Sequence, residues 1–345
     1  MSDFIEPRNL IPLLPAVRDM LASETHRLHH AVWHDVRGQW TNLSEGKRDS
    51  IRALGWQPGH DLERPAVKRG APIVDNGSGE DFLFMHREMI QMVHEIYDAE
   101  GMPRLAGWSA VPPPGGNPAL GFDVPPNWMQ DHQPTMRRLA ALKTDEYFWT
   151  AMRGWDRQFK NAAYLSTLSL GALGATLEYT VHNDMHMRWS SVPRDPSTGD
   201  PVPNGRLPTD FDSKWLDSTY DFLGEFYSSH VNPVFWSLHG WVDDRIEDWF
   251  AAHDVAHPGE VERVVLDGIQ WFKPGRWVSD EKPWVRPEMQ GGGHGGHHGG
   301  HGETHDLDPE QMREVIRTLY APETELHGFG APDTVAPARN TWFLT

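Results

Sequence analysis

Apolar positions recur at helical spacing through most of the chain. Between residues 13 and 40, Val17, Met20, Leu21, Leu28, Val32 and Val36 return to one side of a 3.6-residue turn, which predicts a helix. A shorter helix is expected over 44–54. Ser78-Gly-Glu-Asp81 resembles a capping signature, and Leu83, Met85, Met89, Ile90, Val93, Ile96 and Tyr97 then keep a helical period until Gly101-Met-Pro103 stops it. Further helical patterns cover 134–143, 145–160, 164–189, 211–229 and 233–252, although Gly171 and Gly174 weaken the third of these. Asp308-Pro-Glu-Gln311 opens a last helix that reaches about residue 320, with Asp as cap and Pro in the first position. No alternating run long enough for a useful strand is visible. The expected fold is mainly α, a helical bundle with long Pro/Gly-rich loops over 55–79, 103–130 and 193–208.

Composition sharpens this picture. The 28 Pro and 32 Gly account for the loops, and the 16 Trp and 14 Phe can fill a sizeable core. Trp215, Trp236, Trp241 and Trp249 are expected in that core rather than in a substrate-stacking site. A main domain is expected over 1–285, a low-complexity Gly/His segment over 286–306, and a terminal helix with an irregular tail over 307–345.

A formal net charge of −18 disfavours nucleic acid or an anionic membrane as partner. The first twenty residues lack a basic start followed by an apolar run, so no signal peptide is visible and a cytoplasmic protein is expected. There is no Cys, which removes disulfides, thiolate metal sites and thiol catalysis.

The anomaly is 20 His. His182 and His186 stand four apart, so on a helix both imidazoles face one side and can reach one ion, with a third His from a facing helix completing the set. Imidazole suits Cu, Zn, Fe and Ni alike. His26, His30 and His34 repeat the same four-residue spacing near the N-terminus. His94 lies eight residues after His86, about 12 Å along a helix axis, so the two cannot share an ion; a helix-face His with a hydrogen bond is the expectation there.

The surrounding sequence adds a resemblance. Asn232-Pro-Val-Phe-Trp-Ser-Leu-His239-Gly-Trp-Val-Asp243-Asp-Arg245, with Trp249 beyond, resembles the second copper-site signature of tyrosinases, catechol oxidases and molluscan haemocyanins, D-P-x-F-x-x-H-H-x-x-x-D-R-x-W. His239 falls on the second His of that pair and Leu238 replaces the first. Leu177-Glu178 followed by His182-Asn183 and His186 resembles the upstream half, and Phe82-Leu83-Phe84-Met85-His86-Arg87 resembles the first-site signature F-L-P-W-H-R. The pieces occur in the family's order and the resemblance spans roughly 15–255.

The resemblance implies a pair of copper ions with dioxygen as co-substrate. One ion would be held by His182, His186 and His239, and the other by His86 with two further ligands. The family places a His on the loop just before F-L-P-W-H, where this chain has Val74-Asp-Asn-Gly-Ser-Gly79. His34 and His60 are the favoured replacements, with His30 as substitute. The resemblance also implies catalytic roles for Asn183 and Glu178, which would hold a water that deprotonates a phenol. Glu178, one turn before His182, is equally open to a capping role. Asp243 would orient a ligand imidazole.

The implied activity is phenol hydroxylation, or oxidation of catechols or o-aminophenols, with small-molecule substrates and room for a copper-delivery partner. Without Cys, the chain cannot form the Cys–His thioether some members carry. Two alternatives stay open: a haemocyanin-like oxygen or copper carrier, and a mononuclear hydrolase using only His182, His186 and His239. The Gly/His run, with His294, His297, His298, His301 and His305, is either a metal-collecting loop or a plain linker.

Overall fold

The computed structural model describes residues 7–58, 67–68, 71–72, 77–115, 123–129, 133–286 and 307–322. His60 and the Gly/His segment lie outside the described residues. The fold is mainly helical, as the periodicity predicts.

The N-terminal helix divides in two, α1 (Pro15–Ala22) and α2 (Glu24–Gln39). Ser23 is the reason: its backbone is extended and its side chain accepts from His26 N, so it caps α2. Ser44 likewise caps α3 (Glu45–Ala53). The two-residue strands β1 (Val67–Lys68) and β2 (Ala71–Pro72) pair antiparallel before α4 (Ser78–Ala99). α4 begins after Gly77, whose positive φ no side-chain cap accompanies. Ser78 is therefore not a cap, and Glu80 and Asp81 are used elsewhere. Glu80 accepts from Ser279 N at 2.9 Å and Asp280 N at 2.8 Å, and Asp81 accepts from Trp284 N at 2.6 Å.

α5 (Gln133–Leu142), α6 (Asp145–Tyr147), α7 (Arg153–Gln158) and α8 (Ala162–Leu165) follow, with a π-helical turn over Phe148–Met152 between α6 and α7. The expected helix over 164–189 is broken into α8, α9 (Leu170–Leu177), a π-helical turn Glu178–His182 and α10 (Asn183–Trp189). Its glycines serve packing. A Cβ on Gly79 would lie 2.0 Å from Gly171 O and 2.4 Å from Ala175 N, and one on Gly174 would lie 2.0 Å from Gly79 O. Only glycines let α4 and α9 cross backbone to backbone, and this crossing brings His86 to His182.

The helix expected over 211–229 is absent. That stretch is turns with two short 3-10 pieces, Ser213–Leu216 and Ser229–Val231. Asp212 accepts from Lys214 N and Asp217 accepts from Thr219 N, so short polar side chains satisfy the backbone in place of a helical ladder. Its aromatic residues Trp215, Tyr220, Phe222, Phe226 and Tyr227 are nevertheless buried.

The long α11 (Pro233–Ala256) starts on Asn232, whose side chain accepts from Val234 N. Trp236, Trp241 and Trp249 on α11 are buried, as is Trp215, in line with the core reading. β3 (Arg263–Leu266) and β4 (Ile269–Phe272) then form a hairpin the periodicity misses. Asp267 (φ 50°) and Gly268 (φ 86°) make its turn, an Asp-Gly pair suited to two consecutive positive φ values.

After the hairpin the chain crosses the start of α4 and the flank of α2. Trp284 stacks on Trp33, with ring centres 6.1 Å apart, and its carbonyl accepts from Trp33 Nε1. α12 (Pro309–Tyr320), capped by Asp308, packs on α2 and α3. Among the described residues no helix is long and apolar enough to cross a membrane.

Candidate metal centre

Six histidines from five helical segments meet in the core. α2 supplies His30 and His34, α4 supplies His86, the π-turn and α10 supply His182 and His186, and α11 supplies His239. None exceeds 4% exposure, so water does not solvate them. The ligand-capable atoms of His30, His34 and His86 all lie within 4.8 Å of one another, and the same holds for His86, His182 and His239. His86 joins the two groups: its ring stacks on His239 at 4.3 Å and lies 5.5 Å from His34.

Five of the six rings are oriented through Nδ1. His86 donates to Phe82 O at 2.8 Å and His239 to Phe235 O at 2.9 Å, each to the carbonyl one helical turn earlier. His182 lies 3.1 Å from Asn183 Oδ1 through Nδ1 and also bonds the Glu178 backbone. The buried loop between Phe222 and Ser228 orients one ring of each group. Leu223 O accepts from His186 at 2.8 Å and Phe226 O accepts from His30. The ring of Phe226 also stacks on His34 at 4.2 Å and 6°.

A carbonyl acceptor at Nδ1 fixes the proton there and leaves a lone pair on Nε2. The consequence is chemically pointed. His182 Nε2 stands 3.0 Å from His239 Nε2 and 3.1 Å from His186 Nε2, so lone-pair nitrogens face each other. Such an arrangement is repulsive unless a cation or proton sits between them. Nitrogens bound to one ion at about 2.0–2.1 Å in tetrahedral geometry stand about 3.3 Å apart, close to this spacing. On the other side, Nε2 of His30 and of His86 is buried with no hydrogen-bond partner.

Protonation does not relieve the crowding. Burial, foremost, lowers the pKa of His30 to about 4 and of His182 to about 4. His34, His86, His186 and His239 are lowered well below the usual value by burial and then by neighbouring histidines. Six neutral imidazoles in a dry core form a nitrogen donor set suited to a soft or borderline cation. No carboxylate belongs to either three-histidine group.

The expected ligands divide as follows. His182, His186 and His239 come together as the i, i+4 spacing and the α11 motif predict. His86 and His34 also meet. The third member of their group is His30, the substitute at the sequence level, because α2 places both on one face. His60 lies outside the described residues. His94 takes no part: its Nε2 is 3.2 Å from Leu105 O. Asp243, expected beside a ligand imidazole, instead accepts from Arg87 Nε at 2.7 Å on the outer side of α4.

Glu178 faces Arg37 rather than open space. Its two oxygens accept from Arg37 Nη1 at 2.9 Å and Nη2 at 3.1 Å. Burial works against the Arg37 charge, but Glu178 outweighs it and the arginine pKa rises above its usual value. Arg37 also donates to Ser78 Oγ at 2.7 Å and lies over the Trp33 ring at 4.3 Å. One guanidinium thus ties α2, the start of α4 and the π-turn that ends on His182, the elements that carry four of the six histidines.

Two functional neighbours escape sequence reasoning. Arg37 has no motif, although its position three residues after His34 on the histidine-bearing part of α2 is a weak signal. His230 is fully buried, with its ring 4.6 Å from His30 and Nε2 donating to Leu21 O at 3.1 Å. No family model matches the chain, and no curated protein matches it.

Proposed function

We propose that the two histidine groups hold a pair of copper ions and that the chain uses them, with dioxygen, to oxidise phenols, catechols or o-aminophenols. The observation that carries the reading is the convergence of lone-pair nitrogens at His182, His186 and His239, with a second buried three-histidine group joined to it through His86. An all-imidazole donor set lies within the range copper accepts, and among divalent first-row ions copper binds such sites most tightly. The resemblance of the sequences around His86, His182 and His239 to type-3 copper signatures favours copper over zinc.

His30, His34 and His86 would hold one ion, and His182, His186 and His239 the other. Bound copper would supply the redox chemistry, passing electrons from the organic substrate to dioxygen. The chain's own groups set the geometry. Phe235 stacks on His239 at 3.7 Å and lies 5.7 Å from His30 and 5.8 Å from His186, an apolar floor that keeps water from both groups. Asn183 holds His182. Glu178, with both oxygens engaged by Arg37, fits a positioning role better than proton transfer.

The test is oxygen uptake by copper-loaded protein supplied with a catechol, after a mild chelator has stripped loosely held metal. Sustained uptake that disappears in His239→Ala supports an oxidase. Copper binding without uptake would favour a carrier, and a requirement for zinc with hydrolysis of an ester would overturn the redox reading.

A further inference from the structure

A cavity of about 660 Å³ lies away from the six histidine rings, between the N-terminal segment, the 191–199 loop and the 218–223 loop. That volume is in the range that encloses a small organic molecule. Its charge runs against that of the chain. In a protein of net charge −18 the cavity is lined by three arginines, Arg8, Arg18 and Arg194, against two aspartates, Asp195 and Asp221.

Both aspartates are already neutralised. Arg8 pairs with Asp221, and Lys214 Nζ pairs with Asp195 at 2.7 Å. That leaves two cations facing the cavity without a carboxylate of the cavity to balance them. Arg194 spends one N–H on Gly199 O at 2.9 Å. Arg18 donates through Nε and Nη2, each at 3.3 Å, to Asp19, its chain neighbour outside the lining, with both side chains well exposed to solvent. A pair so exposed is weak and exchanges readily for a better acceptor. The wall is apolar, with half-buried Leu13 and Val192 beside the buried Phe222, Leu223 and Val231.

Guanidinium groups at the rim and an apolar wall beneath define a ligand with one anionic end and a hydrophobic body. We infer that this cavity binds a small carboxylic acid with an aromatic or branched apolar body. The carboxylate is held by Arg18 and Arg194, whose planar forks match its two oxygens. The ring lies against Leu13 and Val192. This inference does not depend on the metal reading, because none of the six histidines lines the cavity.

The experiment uses the full-length, metal-free chain and benzoate as probe, followed by calorimetry or ligand-observed NMR. Saturable binding is expected, with benzyl alcohol, which keeps the ring and lacks the charge, roughly tenfold weaker or worse. The double variant Arg18→Gln, Arg194→Gln should lose benzoate affinity by roughly tenfold or more and leave benzyl alcohol unchanged. Ser218→Trp, which fills the cavity and leaves both arginines in place, should weaken both compounds and so tests the site should the double variant misfold. Failure of benzoate to saturate, equal binding of benzyl alcohol, or benzoate binding untouched by both variants would overturn the assignment.

Discussion

Replacing Arg37 with Met probes the link between the two histidine groups. The Arg37 and Glu178 side chains are 4% and 6% exposed, so removing the cation leaves a carboxylate in the core with no counter-charge. Breaking a buried pair in this way costs about 3–5 kcal/mol. With an unfolding entropy of about 2.1 cal/mol/K per residue, a chain of 345 residues loses about 4–7 °C in Tm for that cost. Glu178→Leu alone strands the arginine and should cost a similar amount.

The double variant Arg37→Met, Glu178→Leu removes both charges at once. It should recover to within about 1–2 kcal/mol of the parent, because a packed apolar pair of similar volume replaces the ion pair well. The assay is urea denaturation of the four metal-free proteins, read as a double-mutant cycle. A double variant destabilised by the full sum of the two singles would refute the coupling. The single variants should also bind copper more weakly at both groups, since Arg37 touches the segments that carry both.

Four further outcomes follow from the same geometry. Gly79→Ala should cost about 3 kcal/mol and lower copper content, because the new Cβ meets the Gly171 carbonyl at 2.0 Å and forces α4 off α9; equal melting of variant and parent would contradict the close crossing. His30→Ala should lose about one copper per chain while His60→Ala keeps about two, because His30, His34 and His86 form a three-nitrogen group without His60; the reverse pattern, by metal analysis, would move the first site to the loop. His94→Ala should leave copper content unchanged, as its ring bonds Leu105 O away from the cluster. The metal-free protein should lose stability as pH falls from about 6.5 towards 4. Burial depresses His30 and His182 to about 4 and holds the other four well below the usual histidine value, so the unfolded chain takes up protons first and is favoured through that window. A Tm flat across that range would show the histidines to be solvated.

What the sequence carries legibly is local. The His182/His186 spacing, the α11 motif around His239, and Asp308 as a cap all depend on neighbours within a turn or two, and the structure repeats them. What it carries poorly is of two kinds, short polar caps and turns that an apolar period masks, and contacts between distant segments. The Ser23 break is a single capping side chain inside an otherwise continuous apolar period. The 211–229 stretch has enough aromatics to resemble a helix, yet Asp212 and Asp217 bind the backbone first. Gly171 and Gly174 look like flaws in a helix until Gly79 is placed against them. The β3–β4 hairpin was signalled by Asp267-Gly268, a turn pair that a search for long alternating runs passes over. That His30 and His34 share one face of α2 is local and legible, but that this face meets His86 of α4 is set by packing, which no local pattern encodes.

The most direct test is copper content together with an electron paramagnetic resonance spin count on the oxidised, copper-loaded protein after chelator stripping. His86 of one group stacks on His239 of the other at 4.3 Å, which would place the ions close enough to couple their spins. The expected result is about two copper ions per chain, a number set by the two nitrogen groups, with most of the copper(II) signal silent. One copper per chain with a full-intensity signal, or two with independent full-intensity signals, would contradict the paired centre.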